Sequence, residues 1–255
     1  MDDSYVKPKL RPYMHGAFSR QLRESATLGI PLLAVLIDPE KWDTRALDQG
    51  LQSRLAALPE QTTHLFVGGS TDHEQRLHEV VVNLKRQTEL PVILFPGDHR
   101  QLTDAADGLL FLSLLSGDNP EYLIGQQRKA IPKLRQLELE VIPTGYLLID
   151  GGRESAVQRI SQTLPFPADA IDQVVQTCLA AQWGGKQAIY LEAGSGALHP
   201  VSAAMVEAVR ESIDLPIIVG GGIRSLQTVN AMYAAGATLV VIGTALEEAT
   251  FDGKA

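Results

Sequence analysis

The chain has 255 residues, of which 45% are hydrophobic and 20% are charged, and its formal net charge at pH 7 is −8. This length suits one α/β domain with a large buried core, and the composition excludes a disordered chain. The negative charge argues against a nucleic-acid binder, because a phosphate backbone requires a basic face. It does not exclude a local anion site, since backbone N–H groups bind phosphate without net positive charge.

The cysteine content and the N-terminal residues predict the compartment. Cys178 is the single cysteine, so it forms no internal disulfide, and its helix-like surroundings predict core packing. Residues 1–11 lack the apolar segment of a signal peptide, and no apolar run reaches the roughly 18 residues that a membrane span needs. We therefore expect a cytoplasmic protein, for which any membrane contact, as in product release, is peripheral.

Eight short apolar runs follow one another along the chain. The runs are Pro31–Ile37, His64–Val67, Pro91–Phe95, Leu109–Leu115, Leu139–Ile149, Gln187–Leu191, Leu215–Val219 and Thr238–Ile242. They are continuously apolar, which is typical of parallel strands covered on both faces. Amphipathic helical patterns separate most of them, at Thr44–Leu58, Glu74–Arg86, Val201–Ser212 and Leu226–Ala235. This alternation predicts one (β/α)8 TIM barrel over residues 1–255, with a doubly wound open sheet as the alternative.

Two intervals depart from a regular barrel. Only Pro96–Gly108 separates the third and fourth runs, which is too short for a regular helical crossover. We therefore predict that the third helix is missing or degraded, leaving a gap in the outer ring. Upstream of the first run, residues 1–29 form an N-terminal extension in which His15–Leu28 predicts an extra helix covering the barrel floor.

Two glycine-rich segments follow the last two strands. Gly220–Ile223 follows the seventh run and precedes a helix, and Gly243–Ala245 follows the eighth. Glycines let the backbone approach a phosphate, and loops after strands seven and eight are where TIM barrels usually bind one. The pair therefore predicts a phosphate site, although plain tight turns are the alternative.

An acidic residue stands at the end of the sixth strand, in the segment Tyr190–Ala197. Tyr190, Glu192 and Gly194 share one strand face by the two-residue period. A glutamate at the mouth of a barrel is suited to accept a proton from a substrate hydroxyl, and Ser195 and Gly196 to hydrogen-bond a phosphate. The alternative is a structural glutamate held by an ion pair.

Oxygen ligands follow the first two strands. Asp38 precedes Pro39, and Ser70 follows Gly68-Gly69. Mg²⁺ prefers oxygen ligands, typically one or two carboxylates together with substrate phosphates. Either residue is also a suitable helix cap, which is the alternative. The histidines lack the spacing of a zinc site.

These segments together resemble one family. Leu36–Pro39, Val67–Ser70, Tyr190–Ala197, Gly220–Ile223 and Gly243-Thr244 are similar to geranylgeranylglyceryl phosphate synthases and the related bacterial heptaprenylglyceryl phosphate synthases. The likeness covers residues 30–245 and implies a barrel with a replaced third helix. It further implies transfer of a polyprenyl group, typically from geranylgeranyl diphosphate, to the 3-hydroxyl of sn-glycerol 1-phosphate. The products would be an ether-lipid precursor and diphosphate.

The resemblance also implies a role for each segment. Asp38 and Ser70 would bind Mg²⁺, Glu192 would be the catalytic base, and Tyr190 would orient the substrate. The glycerol phosphate would be bound by Tyr190, Leu191, Glu192, Ala193, Gly194, Ser195, Gly196, Gly221, Gly222, Gly243 and Thr244. We expect no nucleic-acid partner, and a homo-oligomer, since barrels of this size often self-associate.

The prenyl tail and the diphosphate each set a further requirement. The tail needs an apolar groove, for which the gap at the missing helix is the candidate and core packing the alternative. Its predicted lining is Phe111, Leu112, Leu114, Leu115, Tyr122 and Ile124. Some family members carry a lysine at the position of Leu36, so we expect Lys41, Arg100 or Arg224 to neutralise the diphosphate instead.

Two other functions stay open on the residues alone. One is an isomerase or lyase of a small phosphorylated metabolite, which predicts a second acid or base facing Glu192. The other is a non-catalytic barrel that binds prenyl phosphates, in which loss of the Glu192 carboxylate would have no effect.

Overall fold

Eight parallel strands form a closed barrel in a computed structural model that describes residues 16–41, 47–69 and 74–253. The strands are β1 Leu32–Ile37, β2 His64–Val67, β3 Val92–Leu94, β4 Gly108–Leu114, β5 Glu140–Leu148, β6 Ala188–Glu192, β7 Ile217–Gly220 and β8 Leu239–Ile242. Each strand pairs with the next, and β8 pairs with β1, Leu239 lying opposite Leu32. The predicted TIM barrel is confirmed, and closure rules out the open sheet.

Helices surround the barrel and follow most of the strands. They are α1 Ala17–Leu28, α2 Leu47–Ala56, α3 Glu74–Gln87, α4 Gln126–Leu134, α5 Ala156–Ser161, α6 Ile171–Trp183, α7 Ala203–Ser212, α8 Leu226–Ala234 and α9 Thr244–Glu247. A π-helical segment, Glu121–Gly125, leads into α4. Within the described ranges, no helix has both the length and the apolar character needed to cross a bilayer.

The strands are buried on both faces, as their continuous apolar character predicts. In β1, Ala34 belongs to the cluster inside the barrel with Phe66, whereas Val35 belongs to an outer cluster with Leu51 of α2. Cys178 of α6 lies in another outer cluster and is fully buried, which confirms its predicted core position. The alternation fixes which side chains of each strand reach the barrel interior.

No helix lies between β3 and β4, which confirms the predicted loss of the third helix. Residues 95–107 form an ordered loop, and its Leu102 and Ala106 pack into the outer core. The Gln101 side chain joins this loop to the loop after β2 by donating to the Gly69 carbonyl at 2.9 Å. The outer ring of helices is therefore open beside β4.

The extra N-terminal helix is present as α1 and covers the floor of the barrel. The Glu140 carboxylate, at the start of β5, accepts the backbone N–H groups of Phe18 and Ser19 at 3.0 and 2.9 Å. The Phe18 ring packs against His64 and Phe66 of β2, with ring centroids 4.9 and 6.2 Å away. Residues 1–15 of the predicted extension lie outside the described residues.

Candidate active site

One cavity of about 480 Å³ opens at the carboxyl ends of the strands. Its polar end is lined by Asp38, Glu192, Ser195 and Thr244 together with glycines of the β7 and β8 loops. Its apolar end runs beside β4 to the gap left by the missing helix, where Leu112 lines it. The cavity therefore joins a polar chamber of phosphate-loop character to an apolar groove.

Glu192 ends β6 and points into the polar chamber, where it is 7% exposed. Its Oε1 accepts the backbone N–H of Gly194 at 2.7 Å. Burial raises the pKa of Glu192 to about 7, although the Gly194 hydrogen bond and the Tyr190 hydroxyl favour the ionised form. No lysine or arginine of the described residues forms an ion pair with it, which argues against a structural ion pair.

The Tyr190 hydroxyl lies deeper in the same chamber. It is buried and makes no hydrogen bond of good geometry with any described residue. The Tyr190 ring is held by Phe95, stacked at 5.1 Å between centroids, and by Tyr146 at 5.3 Å. A rigidly packed ring whose hydroxyl lies beside a carboxylate is suited to orienting a hydroxylated substrate.

The β7 glycines are required by their close packing on Glu192. A Cβ atom at Gly220 would overlap the Tyr190 hydroxyl and lie 2.9 Å from Glu192 Oε2. A Cβ atom at Gly221 would overlap Glu192 Oε1, and Gly221 also has a φ of +84°. The absence of side chains here lets the loop backbone pack directly against the carboxylate.

We expect Gly221→Ala to reduce turnover at least about tenfold, because the new methyl group must displace the Glu192 carboxylate from its position. Gly185→Ala is the matched control, since Gly185 has a φ of +86° but nothing within 4 Å of an added Cβ atom. Both variants should lose about 1–3 kcal/mol of stability to backbone strain. Gly221→Ala should lose more, because its methyl group would also lie 2.6 and 2.8 Å from the backbone nitrogens of Gly194 and Ala193. Turnover is measured by prenyl transfer and stability by urea unfolding. Equal turnover of the two variants would contradict the close packing of Gly221 on Glu192.

The two predicted phosphate loops and the loop after β6 border the same chamber. Ser195 Oγ lies 3.0 Å from Thr244 Oγ1, so the loops after β6 and β8 are in contact. Gly196, Gly221, Gly222 and Gly243 also line the cavity. The backbone and hydroxyl groups of three neighbouring loops thus converge on one small region.

Three predicted binding residues do not line the cavity. Leu191 is fully buried on the outer face of β6, and Ala193 packs in the same outer cluster. Gly194 sits behind the chamber, where its N–H is bonded to Glu192. These residues belong to the loop but do not border the cavity, and their role in binding stays a prediction.

Asp38 lies at the end of β1, on the wall of the cavity. Its Oδ1 accepts the Glu40 N–H at 3.1 Å, and a Cβ atom at Gly69 would lie only 2.6 Å from the same oxygen. Burial raises the pKa of Asp38, and the Glu40 hydrogen bond and Lys41 counteract this in part. Ser70, the second predicted metal ligand, lies outside the described residues.

The donor set at Asp38 fits a hard cation that takes most of its ligands from elsewhere. The described residues contain no group of three or more His, Cys, Asp or Glu side chains that could hold a metal by themselves. Mg²⁺ is commonly bound by one or two carboxylates, water and substrate phosphates. Asp38, a half-buried carboxylate on the wall of an open cavity, matches that pattern.

Comparison with known proteins assigns the chain to a family. Residues 33–254 match the PcrB family. The chain belongs to the PcrB family. Two relatives named geranylgeranylglyceryl phosphate synthase, from Zunongwangia profunda and Flavobacterium johnsoniae, are 54% and 46% identical; the matches cover 86% and 89% of this chain and 92% and 93% of theirs.

A solved structure of the same enzyme class is also similar. It is (S)-3-O-geranylgeranylglyceryl phosphate synthase from Thermoplasma acidophilum in complex with sn-glycerol-1-phosphate, with a TM-score of 0.82 and 33% identity over 92% of each chain. The PcrB-family barrel is therefore shared over almost the whole length of both chains.

The apolar groove of this PcrB-family protein contains most of the predicted lining. Phe111, Leu112, Leu114 and Tyr122 line the cavity. Leu115 instead packs into the outer core beside Gly145, and Ile124 is 56% exposed to solvent. The groove prediction is thus correct for four residues and wrong for these two.

The three cations that were expected to neutralise the diphosphate differ in how near they lie to the cavity. Lys41 borders the cavity and pairs with Glu247 of α9. Arg224 borders it too, but its guanidinium donates to the carbonyls of Ala197 and Gly222 at 2.7 and 3.2 Å, which ties two loops together. Arg100 does not line the cavity and pairs with Asp98.

Sequence reasoning missed two aromatic residues of the chamber, Phe95 and Tyr146. Tyr146 pairs in register with Tyr190 across β5 and β6, so both rings point inward. The two-residue period of β5 would have found Tyr146, but Pro143 and Gly145 obscured the strand. Phe95 directly follows β3, where its inward direction depends on the loop that replaces the third helix.

Proposed function

We propose that this protein transfers a polyprenyl group to the 3-hydroxyl of sn-glycerol 1-phosphate, with geranylgeranyl diphosphate as the expected donor. The observation that carries the proposal is one cavity in which a buried carboxylate, three converging loops and an apolar groove meet. Relatives at 54% and 46% identity bear the name of this activity, and a similar barrel binds sn-glycerol-1-phosphate.

The polar chamber would hold the acceptor. The loops at Ser195-Gly196, Gly221-Gly222 and Gly243-Thr244 would bind the phosphate through backbone N–H and hydroxyl groups. Glu192 would accept the proton of the substrate 3-hydroxyl, and Tyr190 would hydrogen-bond the glycerol. Since Glu192 is buried with a pKa of about 7, it is close to the optimum for a general base at neutral pH.

The groove would hold the donor. Its apolar tail would lie along Leu112, Leu114 and Tyr122, which places the diphosphate toward Asp38. Asp38, with Ser70 as the resemblance implies, would hold Mg²⁺, which when bound neutralises the charge developing on the leaving diphosphate. Binding both substrates in one cavity would align the hydroxyl oxygen with the allylic carbon.

The reaction is a displacement of diphosphate by the glycerol hydroxyl oxygen at the first carbon of the prenyl chain. The glycerol oxygen forms a bond to the first carbon of the prenyl chain as the bond from that carbon to the diphosphate oxygen breaks. The hydroxyl proton passes to Glu192, and the bonding electrons leave with the diphosphate. An ether lipid precursor and diphosphate are the products.

We expect transfer to become faster as pH rises toward 8. A raised pKa of about 7 leaves Glu192 mainly protonated at pH 6, so kcat/KM should climb with a midpoint near pH 7 and then level off. The measurement is kcat/KM from pH 5.5 to 8.5, with sn-glycerol 1-phosphate binding recorded in parallel to correct for the substrate's own ionisation. A flat profile would exclude Glu192 as the base.

Release of diphosphate tests the proposal against the two other functions. Geranylgeranyl diphosphate should release diphosphate only when sn-glycerol 1-phosphate is present. One diphosphate should be released for each ether bond formed. An isomerase or lyase of phosphorylated metabolites would release none, and a non-catalytic binding barrel would bind both ligands unchanged. The described residues also offer no lysine or histidine against Glu192 as the second acid or base that an isomerase needs.

We further propose that the enzyme acts in the cytoplasm as a homo-oligomer. The absence of a membrane-spanning helix among the described residues agrees with peripheral release of the lipid product. Light scattering of the purified protein would measure the oligomeric state.

A further inference from the structure

Four large apolar side chains stand exposed around the mouth of the barrel. Leu164 is 73% exposed, Leu198 57%, Ile124 56% and Ile160 39%. We call these four residues the apolar rim. Side chains of this size normally gain free energy from burial, so several of them exposed around one opening indicate a surface that is covered in use.

The rim is one surface, because its loops are adjacent and bound together. Its residues follow β4, β5 and β6, which are neighbours in the barrel. Tyr122 donates its hydroxyl to the Ile160 carbonyl at 3.2 Å, and Asn119 donates to the Ser161 carbonyl at 2.7 Å. On the other side, the Leu198 N–H donates to the Gly151 carbonyl at 2.9 Å.

The apolar groove continues into the rim. Ile160 belongs to both, since it lines the cavity and is partly exposed, and Tyr122 lies beside it on the groove wall. A prenyl tail in the groove is therefore within reach of whatever covers the rim, without crossing open water.

The charged residues around the rim do not form the cationic surface that would attract anionic lipids. The three loops that carry the rim contain five acidic residues and two arginines, and the nearby cations are already paired: Lys129 with Glu121, Arg159 with Glu154, and Arg224 with the Leu198 carbonyl. Attraction to anionic lipid headgroups requires clustered lysine and arginine. The rim instead presents apolar contact with little electrostatic attraction.

We propose that the apolar rim docks the enzyme on a phospholipid bilayer by inserting its leucine and isoleucine side chains into the interface. This inference rests on the proposed function, because it is the long prenyl tail that must pass between groove and membrane. The rim follows β4 to β6, whereas the polar end of the cavity is bordered mainly by the loops after β1, β7 and β8, on the other side of the mouth. A bilayer accepts the tail and leaves the polar end of the mouth open.

Flotation with neutral phosphatidylcholine vesicles tests the proposal on the intact protein. We expect the wild type to float with the vesicles at both low and high salt. The double variant Leu164→Ser/Leu198→Ser should partition at least about tenfold less, since two inserted leucines contribute roughly 1.4 kcal/mol or more. Neither residue lines the cavity, so transfer from water-soluble geranyl diphosphate should be unchanged, which also shows that the variant is folded.

The floor of the barrel provides the matched control. Leu28 and Trp183 are 68% and 82% exposed, and they end the helices that lead into β1 and β6, at the opposite end of the molecule. Leu28→Ser/Trp183→Ser should float like the wild type. A wild type that stays in solution, or a rim variant that floats as well as the wild type, would overturn the proposal.

Two further outcomes also overturn it. Flotation that needs anionic lipid and disappears in high salt would indicate electrostatic attachment. A wild-type oligomer that the rim variant converts to monomer, without vesicle binding, would make the rim a contact between copies. Failure of transfer by the wild type from both geranyl and geranylgeranyl diphosphate would instead count against the proposed function, whereas the flotation result tests the rim alone.

Discussion

Glu192→Gln is expected to lower the rate of prenyl transfer by about 10²–10⁴-fold while leaving sn-glycerol 1-phosphate binding nearly unchanged. Glutamine keeps the size of the side chain and an oxygen that accepts the Gly194 N–H. It cannot accept the hydroxyl proton, so the transfer step alone should fail. Wild-type transfer by this variant would exclude Glu192 as the base and require another group to accept the hydroxyl proton.

The same variant should be more stable than the wild type at alkaline pH. Because burial raises the folded-state pKa of Glu192 to about 7, its protonated form is favoured in the folded protein, and stability falls as pH rises from about 4.5 through 7. Removing the charge should therefore add about 2–3 kcal/mol at pH 8 and little at pH 4.5. Urea unfolding at several pH values measures this gain.

Glu140→Gln is the control for the loss of turnover and the gain in stability that we expect of Glu192→Gln. Glu140 holds the start of α1 at the barrel floor by accepting two backbone N–H groups. Its substitution should weaken the cap and lower stability while leaving turnover unchanged. The opposite signs of the two variants separate a functional carboxylate from a structural one.

Asp38→Asn is expected to reduce Mg²⁺-supported transfer by about 10²–10³-fold, because neutralising the leaving diphosphate is worth several kcal/mol. The amide oxygen still accepts the Glu40 N–H, so the turn after β1 should be preserved. The variant should also need more Mg²⁺ for half-maximal rate. Titrating the rate with Mg²⁺ measures both effects.

Asp150→Asn controls for the loss of a mouth carboxylate. Asp150 makes the same type of turn, accepting the Gly152 N–H at 2.9 Å, but it does not line the main cavity. We expect its rate and Mg²⁺ requirement to match the wild type. An Asp38→Asn enzyme with the same Mg²⁺ dependence as the wild type would place the metal elsewhere or remove it from the reaction.

The barrel itself was predictable from the sequence. Its strands are short, apolar on both faces and bounded by glycine or proline, so each predicted run falls within about two residues of the observed strand. The missing third helix followed from the length of Pro96–Gly108 alone. Local sequence determines these features because they depend on chain length and on burial along each strand.

The site was predictable only in part, since its geometry depends on contacts between loops. Glu192 was placed correctly by the end of β6, and the glycines by their order after β7 and β8. Leu191 points to the outside of the barrel, as the two-residue period of β6 requires. Assigning the whole segment Tyr190–Ala197 to substrate binding overlooked this alternation. By contrast, the use of Arg224 to join two loops, and the outward direction of Leu115, become visible only once the barrel is closed.

The most direct test of the central claim is transfer of labelled sn-glycerol 1-phosphate into an organic phase. Purified protein would receive the labelled acceptor, Mg²⁺ and prenyl diphosphates from geranyl to heptaprenyl. We predict label in the organic extract, with the best donor reporting the length of the groove beside β4. No extractable label with any donor, from folded protein that still binds the acceptor, would contradict prenyl transfer and favour another phosphate-binding barrel.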